Sequence, residues 1–308
     1  MTGKTVLITG CDRRYFHLLK MFVQSVADSG GLDRVELAVF DIDFSDKEKQ
    51  WLATFATTIQ AARSPLEPLL PPMDGPRMTL PSLVRPYFRD LFPGYDIYLY
   101  SDVDVWVQDW HGFELFIEGA ARGRLAICPQ VDRSYVNPKV GPAFRFNILR
   151  ETFGSEAARI MALMPHMNAG IFGLPADAPH WARWAELWQK TLKGNSQWFG
   201  SGQAILTHMI YNEQFPAELL PATCNWMNHL AAPLWDEAQR CFVAPYLPHE
   251  KIYLMHMTAE TKWQAQPGRT LQGNMLRDAT VSYATFKRLR DKGIDGSIVN
   301  EGPEGDSP

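Results

Sequence analysis

The stretch Ile97-Tyr98-Leu99-Tyr100-Ser101-Asp102-Val103-Asp104 decides how this chain is read. Its first four residues are apolar on both faces, the pattern of a central strand in a parallel sheet covered by helices on each side. Its end is acidic. If the chain stays extended past Tyr100, a period of two puts Asp102 and Asp104 on one face, at the carboxyl end of a buried strand. Open α/β sheets bind their ligands there. Two ionised carboxylates that close repel each other, and a divalent cation taking oxygen from both is the simplest compensation at neutral pH. All-oxygen ligation points to Mg²⁺ or Mn²⁺, and an imidazole in the set leans towards Mn²⁺. The plain alternative is a solvated turn carrying two acids.

Outward from this strand, the sequence alternates strand and helix. Val6-Leu7-Ile8-Thr9-Gly10 reads as a buried strand, and Phe16, Leu19, Phe22, Val23 and Val26 follow at helical spacing. Val35 to Phe40 is a second apolar strand, and Ser45-Asp46-Lys47-Glu48 has the capping-box pattern that starts a helix through Trp51, Leu52 and Phe55. Residues 64 to 81 hold six prolines and read as a loop, with a helix from Leu83 to Leu91 after it. Further on, the pattern predicts a strand over Ala169 to Leu174, helices over Trp181 to Leu192 and Gln203 to Tyr211, a strand over Ile252 to Met255 and a terminal helix from Ser282 to Arg290. Residues 293 to 308 are rich in glycine, proline and acid and are expected to form a flexible tail. The pattern reads as a single domain over 1–292.

Composition narrows the function classes. With 308 residues, 46 % hydrophobic and 21 % charged, the chain is of ordinary globular make-up. A net charge of −4 lacks the footprint of phosphate-backbone binding, so nucleic acid is not an expected partner. No apolar run reaches the ~18 residues of a membrane span. Cys11, Cys128, Cys224 and Cys241 are scattered without C-x-x-C spacing, which argues against a zinc ribbon or a disulfide framework and for a reducing, cytoplasmic setting.

Other motifs compete less well. Asp41-Ile42-Asp43 also follows an apolar strand and is similar to the nucleophile loop of haloacid-dehalogenase-like phosphatases, which would make Asp41 a nucleophile and Asp43 an acid/base. The Gly-Thr-like step and the late acidic pair of that family are missing, and Ser45 already has a role as helix cap. Gly3-Lys4-Thr5 lacks the upstream glycine of a P-loop, and Gly200-Ser201-Gly202 does not fit G-x-S-x-G. Trp181, Trp184 and Trp188 share a helical face and read as core. Lys287, Arg288, Arg290 and Lys292 form a small basic cluster, a solvated face or a contact with anionic lipid at the inner membrane surface.

Taken in order, these pieces resemble the retaining GT-A fold glycosyltransferases of family 8, which contains glycogenin and bacterial lipopolysaccharide galactosyl- and glucosyltransferases. The resemblance covers about residues 5 to 265 and implies a nucleotide-sugar-binding half over 1–107 and an acceptor/sugar half over 108–292. It rests on Thr9-Gly10-Cys11-Asp12-Arg13-Arg14-Tyr15 after the first strand, on Arg85 seventeen residues ahead of Asp102, and on Ser101-Asp102-Val103-Asp104. It rests also on Met167-Asn168-Ala169-Gly170, on Gln203 with its helix, and on His256 followed by Lys262-Trp263. The resemblance implies a metal-dependent transfer of a sugar from a nucleotide-sugar donor, a UDP-sugar, to a glycan, lipid-linked or protein acceptor, with retention. It implies Mn²⁺ or Mg²⁺ held by Asp102, Asp104 and His256. Donor contacts would fall to Thr9, Asp12, Tyr15, Arg85, Ser101, Asn168, Ala169, Gly170 and Lys262, with Arg89 a rival to Arg85; the catalytic groups would be Asp104 and Gln203, and Asp132, in a loop after the metal motif, is a candidate for acceptor contact. The chain departs from the family where Gly202 stands for an Asp, where Ala259 stands for a Gly, and where the Pro before Trp263 is absent. Those departures motivate a second reading, a nucleotide-sugar-binding protein without transfer activity.

Overall fold

The computed structural model describes residues 3–70, 80–135, 142–194, 200–264, 268–276, 281–294 and 298–299. Seven strands form the central sheet: β1 (Thr5–Cys11), β2 (Glu36–Asp41), β3 (Thr58–Ala61), β4 (Ile97–Ser101), β6 (Leu125–Pro129), β7 (Met167–Pro175) and β8 (Ala217–Leu219). Between them in sequence lies β5 (Val105–Val107), which leaves this sheet. The order is β3-β2-β1-β4-β7-β6-β8. Neighbours run parallel from β3 to β4 and again between β6 and β8, whereas β7 is antiparallel to both β4 and β6. The predicted strand over Ala169 to Leu174 is therefore the antiparallel element of a mostly parallel sheet.

Alternation along β1 and β4 divides the core in two. Leu7 and Leu99 face one layer with Leu19, Phe22 and Val26 of the helix Phe16–Asp28. Val6, Ile8, Tyr98 and Tyr100 face the other, with Trp181, Trp184 and Trp188 of the helix His180–Gly194. All three tryptophans are fully buried, so the stripe is core, as expected for a helix face packed on a sheet.

Two smaller sheets complete the chain. One has the order β5-β12-β9, built with β9 (Trp226–Met227) and β12 (Leu254–His256). The other contains β10 (Leu234–Asp236), β11 (Cys241–Val243), β13 (Gly268–Thr270), β14 (Met275–Leu276) and β15 (Ile298–Val299).

Several expectations change on contact with the structure. Of the proline-rich segment, 71–79 lies outside the described residues, but Glu67–Leu69 is a 3-10 turn and Pro81 sits in the first turn of the helix Leu80–Val84, where its missing N–H costs nothing. The expected helix over Leu83 to Leu91 is a run of short turns, Leu80–Val84, Arg85–Tyr87 and Phe88–Leu91, with Pro86 at the break. The tail does not begin as an unstructured one: Ile294 packs on the core, and β15 pairs antiparallel with β14. Ile294, Ile298 and Val299 are apolar residues inside an otherwise polar stretch, and composition averaged them away. Residues 300–308 lie outside the described residues. No helix among the described residues is long and apolar enough to cross a membrane.

Candidate functional site: an Asp-Asp-His cluster between two cavities

β4 ends at Ser101, and the chain turns at Asp102–Asp104, with Val105 N–H reaching Asp102 O at 3.3 Å. The pair therefore converges through a turn, whereas extended backbone was expected. Past the turn, β5 pairs antiparallel with β12, and the register sets His256 opposite Val105. Met257 N–H then donates to Asp104 O at 2.8 Å. This small sheet brings a histidine from late in the chain against the acids: ligand atoms of Asp102, Asp104 and His256 all lie within 4.8 Å of one another. Gly170 makes the approach possible. A Cβ at that position would stand 2.5 Å from His256 Cε1 and 2.9 Å from Asp102 Oδ2.

The tautomer of His256 follows from a chain of hydrogen bonds that starts on the backbone. Gly170 N–H donates to Asn168 at 2.8 Å, so that atom of Asn168 is its oxygen. Asn225 also contacts this oxygen, at 3.0 Å, and must do so with its amide nitrogen. The other end of Asn225 is then an oxygen, 2.8 Å from His256 Nδ1, which must carry the proton. A neutral His256 thus turns the lone pair of Nε2 towards Asp104 Oδ1, 3.2 Å away. Two acceptors face each other, and only a proton or a cation between them resolves the contact. Asp102, Asp104 and His256 thus form a possible metal-binding group, in which Asn225 would orient the histidine.

The surrounding charges are balanced around this point. Asp104 Oδ2 accepts from Lys262 Nζ at 2.6 Å, and Oδ1 faces His256. Burial alone would raise the Asp104 carboxyl, but with a proton on His256 Nε2 the imidazolium, together with Lys262, overcomes it and holds the group well below the usual carboxylate range. Burial likewise works against the Lys262 ammonium, which Asp104 keeps charged and above its ordinary value. Asp102 Oδ1 accepts from Arg85 Nη2 at 2.8 Å and from the Tyr100 hydroxyl at 2.5 Å. Burial first, then Asp102, pushes Tyr100 far up, so it stays a donor. Arg85, packed over the Tyr100 ring at 4.4 Å, also donates to Ala169 O at 3.0 Å.

Two cavities meet at this cluster. The larger, of about 440 Å³, is lined by Asn168, Gly170, Gly202, Gln203 and His256 among others. The smaller, of about 260 Å³, is lined by Gly10, Asp12, Tyr15 and Tyr100. Both share Ser82, Arg85, Asp102, Asp104 and Lys262. The half-exposed Trp263 lies 5.6 Å, centroid to centroid, from Tyr15 of the smaller one.

Most of the sequence-predicted residues come together here, and some do not. Thr9 and Ser101 are fully buried and line neither cavity; Ser101 Oγ donates to Asp102 O at 3.1 Å. Ala169 is buried as well and contributes its carbonyl to Arg85. Asp12 lines the smaller cavity while capping the turn Arg13–Tyr15 and pairing with Arg14 at 2.7 Å. Gln203 lines the larger cavity, and its Oε1 accepts from Gln130 at 2.7 Å. Arg89 donates to Ala176 O and lies over Trp181, away from both cavities. Asp132 caps its own loop by accepting from Ser134 N–H. Asp41 is engaged by Phe44 N–H and Lys49, and Asp43 by Arg13 N–H, so both serve the turn before the capped helix Asp46–Leu52. All four cysteines are free and buried. Sequence reasoning missed the hydroxyl of Tyr100, the orienting role of Asn225, and the wall residues Gln130, Arg145, His166 and His229. Tyr100 could have been found from the period of two that sets it on the face of Asp102, and Asn225 from the Asn225-Trp226 pair that the resemblance includes; the wall residues have no local signal.

No protein-family model matches this chain, and no curated protein matches its sequence. Among solved structures, it is similar to the galactosyltransferase LgtC in complex with donor and acceptor sugar analogs, with a TM-score of 0.56 at 13 % identity over 97 % of this chain and 98 % of that one. It is also similar to the apo structure of the bifunctional glycosyltransferase WbbM, with a TM-score of 0.51 at 12 % identity, over 84 % of this chain and 46 % of that one. The chain has the GT-A glycosyltransferase fold.

Proposed function

We propose that this protein is a metal-dependent glycosyltransferase that uses a UDP-sugar donor and retains configuration at the anomeric carbon. The observation that carries the reading is the pair of opposed acceptors, His256 Nε2 and Asp104 Oδ1, set at the junction of two cavities in a GT-A fold. Tyr15 and Asp12 suit the smaller cavity to a nucleobase, by an aromatic face and a carboxylate that accepts from a ring N–H. Asn168, Gly170 and Gln203 suit the larger cavity to sugar hydroxyls. Asp102, Asp104 and His256 would hold Mn²⁺ or Mg²⁺, which when bound supplies Lewis acidity towards a diphosphate leaving group. Arg85 and Lys262 add fixed positive potential where that charge develops.

Gly202 favours a second reading, binding without transfer. Trp188 Cζ2 lies 3.2 Å from where its Cβ would be, so the indole occupies part of the space an acidic side chain would need. Calorimetric titration of UDP with and without Mn²⁺, repeated on Asp104→Asn, tests the donor site. Binding that requires both the metal and Asp104 is expected, and metal-independent binding of equal strength would sink the proposal. Release of UDP from UDP-sugars in the presence of acceptor panels separates the enzyme from the binding protein.

A further inference from the structure

The larger cavity is unevenly charged. Its carboxylates, Asp102 and Asp104, both lie on the face shared with the smaller cavity, and both are met by cations. Among the described residues, those that line the larger cavity alone include Gln130, Arg145, His166, Gln203 and His229, and none of them is a carboxylate. Four of these belong to one wall. Gln130 N–H donates to His166 O at 2.7 Å, Gln130 Nε2 donates to Gln203 Oε1 at 2.7 Å, and Arg145 is near enough for its charge to act on His166.

The state of His166 can be derived. Thr207 has one hydroxyl proton, which it gives to Gln203 O at 2.8 Å. Towards His166 Nδ1, 3.3 Å away, it can only accept, so Nδ1 carries the proton and Nε2 a lone pair. Burial, helped by Arg145, pushes this imidazole down to about 4, so it is neutral at neutral pH. The wall therefore holds one full charge, the half-buried Arg145 guanidinium, and no carboxylate among the described residues pairs with it. A ring bearing only hydroxyls leaves a partly desolvated cation unanswered. A carboxylate matches its planar fork and neutralises it one for one, whereas a phosphate dianion calls for more positive charge than this wall supplies.

We propose that the larger cavity binds a sugar ring that bears a carboxylate, a hexuronate, with Arg145 as its anchor and His166 Nε2 as an acceptor for one of its hydroxyls. This deepens the glycosyltransferase reading and rests on it. The carboxylate has two possible sources, the donor's sugar or the acceptor's.

Calorimetry in Mn²⁺ separates the sources. One arm compares UDP, UDP-glucose, UDP-glucuronate and UDP-galacturonate, and the other compares methyl glucuronide and methyl galacturonide with methyl glucoside at saturating UDP. The wild type should prefer the acidic ligand by about tenfold or more in one arm, which then identifies the source. Arg145→Gln should lose that preference while binding UDP as before. Equal affinity for acidic and neutral sugars in both arms, or a preference that survives Arg145→Gln, overturns the proposal while UDP binding leaves the transferase reading standing. A wild type that binds no UDP brings both down. The preference is read on the wild type, so a variant that fails to fold still leaves a decision.

Discussion

Gly170 contributes a backbone N–H and the absence of a Cβ, and through them it governs a histidine that arrives from the far end of the sequence. The N–H fixes which end of Asn168 is oxygen, Asn168 fixes Asn225, and Asn225 fixes the proton of His256 on Nδ1. Each link is a hydrogen bond between buried groups, so none has water as an alternative partner. Asn225→Leu keeps the volume and removes the orienting acceptor. Its expected effect is a loss of about 10- to 100-fold in Mn²⁺ affinity, the usual penalty for removing the partner of a ligating histidine. A Mn²⁺ titration of the purified variant reads this directly, and an unchanged affinity would show that His256 is not a ligand. The melting temperature is expected to fall too, because His256 Nδ1 and Asn168 Oδ1 each lose a buried partner.

At the scale of elements, the turn Ala259–Lys262 shows what a departure from a sequence pattern costs. Ala259 has φ of +53°, a left-handed conformation in which a Cβ is strained by about 1–2 kcal/mol. The resemblance expects Gly at this position, and the backbone has kept the conformation that Gly would adopt freely. Ala259→Gly removes that strain and adds chain entropy to the unfolded state, which offsets part of it. The expected net gain is up to about 1 kcal/mol, seen as a higher denaturant midpoint with an unchanged m-value; a lower midpoint would contradict it. Elements of this kind divide into those the sequence announces and those it hides. β1, β2, β4 and β7 are apolar runs buried on both faces, and the helix Asp46–Leu52 opens with a capping box whose two reciprocal bonds form. By contrast, β3 is a half-exposed edge strand of mixed polarity, and β9 and β14 have two residues each, too few for any period. The helix His111–Ala121 starts at Trp110, which makes no side-chain cap; Asp109, one residue earlier, accepts from His111 N–H at 2.9 Å instead, so the start signal is displaced from the cap position. In the site, Asp102, Asp104, His256 and Lys262 were legible because their spacing matched a known pattern. Gln130, Arg145 and His166 were not, because tertiary packing alone brings them to one wall.

At the scale of the whole molecule, the site is a junction between two cavities that share one set of charges. Arg85, Asp102, Asp104 and Lys262 face both, so whatever fills one cavity alters the electrostatics of the other. On the proposed reading, a metal on the carboxylates would add positive charge to the edge of the smaller cavity, where a donor diphosphate would lie. Such coupling is reciprocal: if Mn²⁺ tightens UDP, then UDP tightens Mn²⁺ by the same factor. A ligand at a hundred times its Kd stabilises the folded state by about 2.7 kcal/mol, which thermal unfolding detects. The rise in melting temperature with Mn²⁺ and UDP together should therefore exceed the sum of the rises with each alone. In Asp104→Asn the excess should vanish, because that variant removes a shared charge while leaving the walls of both cavities in place. Additive shifts in the wild type would mean that metal and nucleotide occupy separate sites, which is incompatible with a donor diphosphate lying across the face the two cavities share.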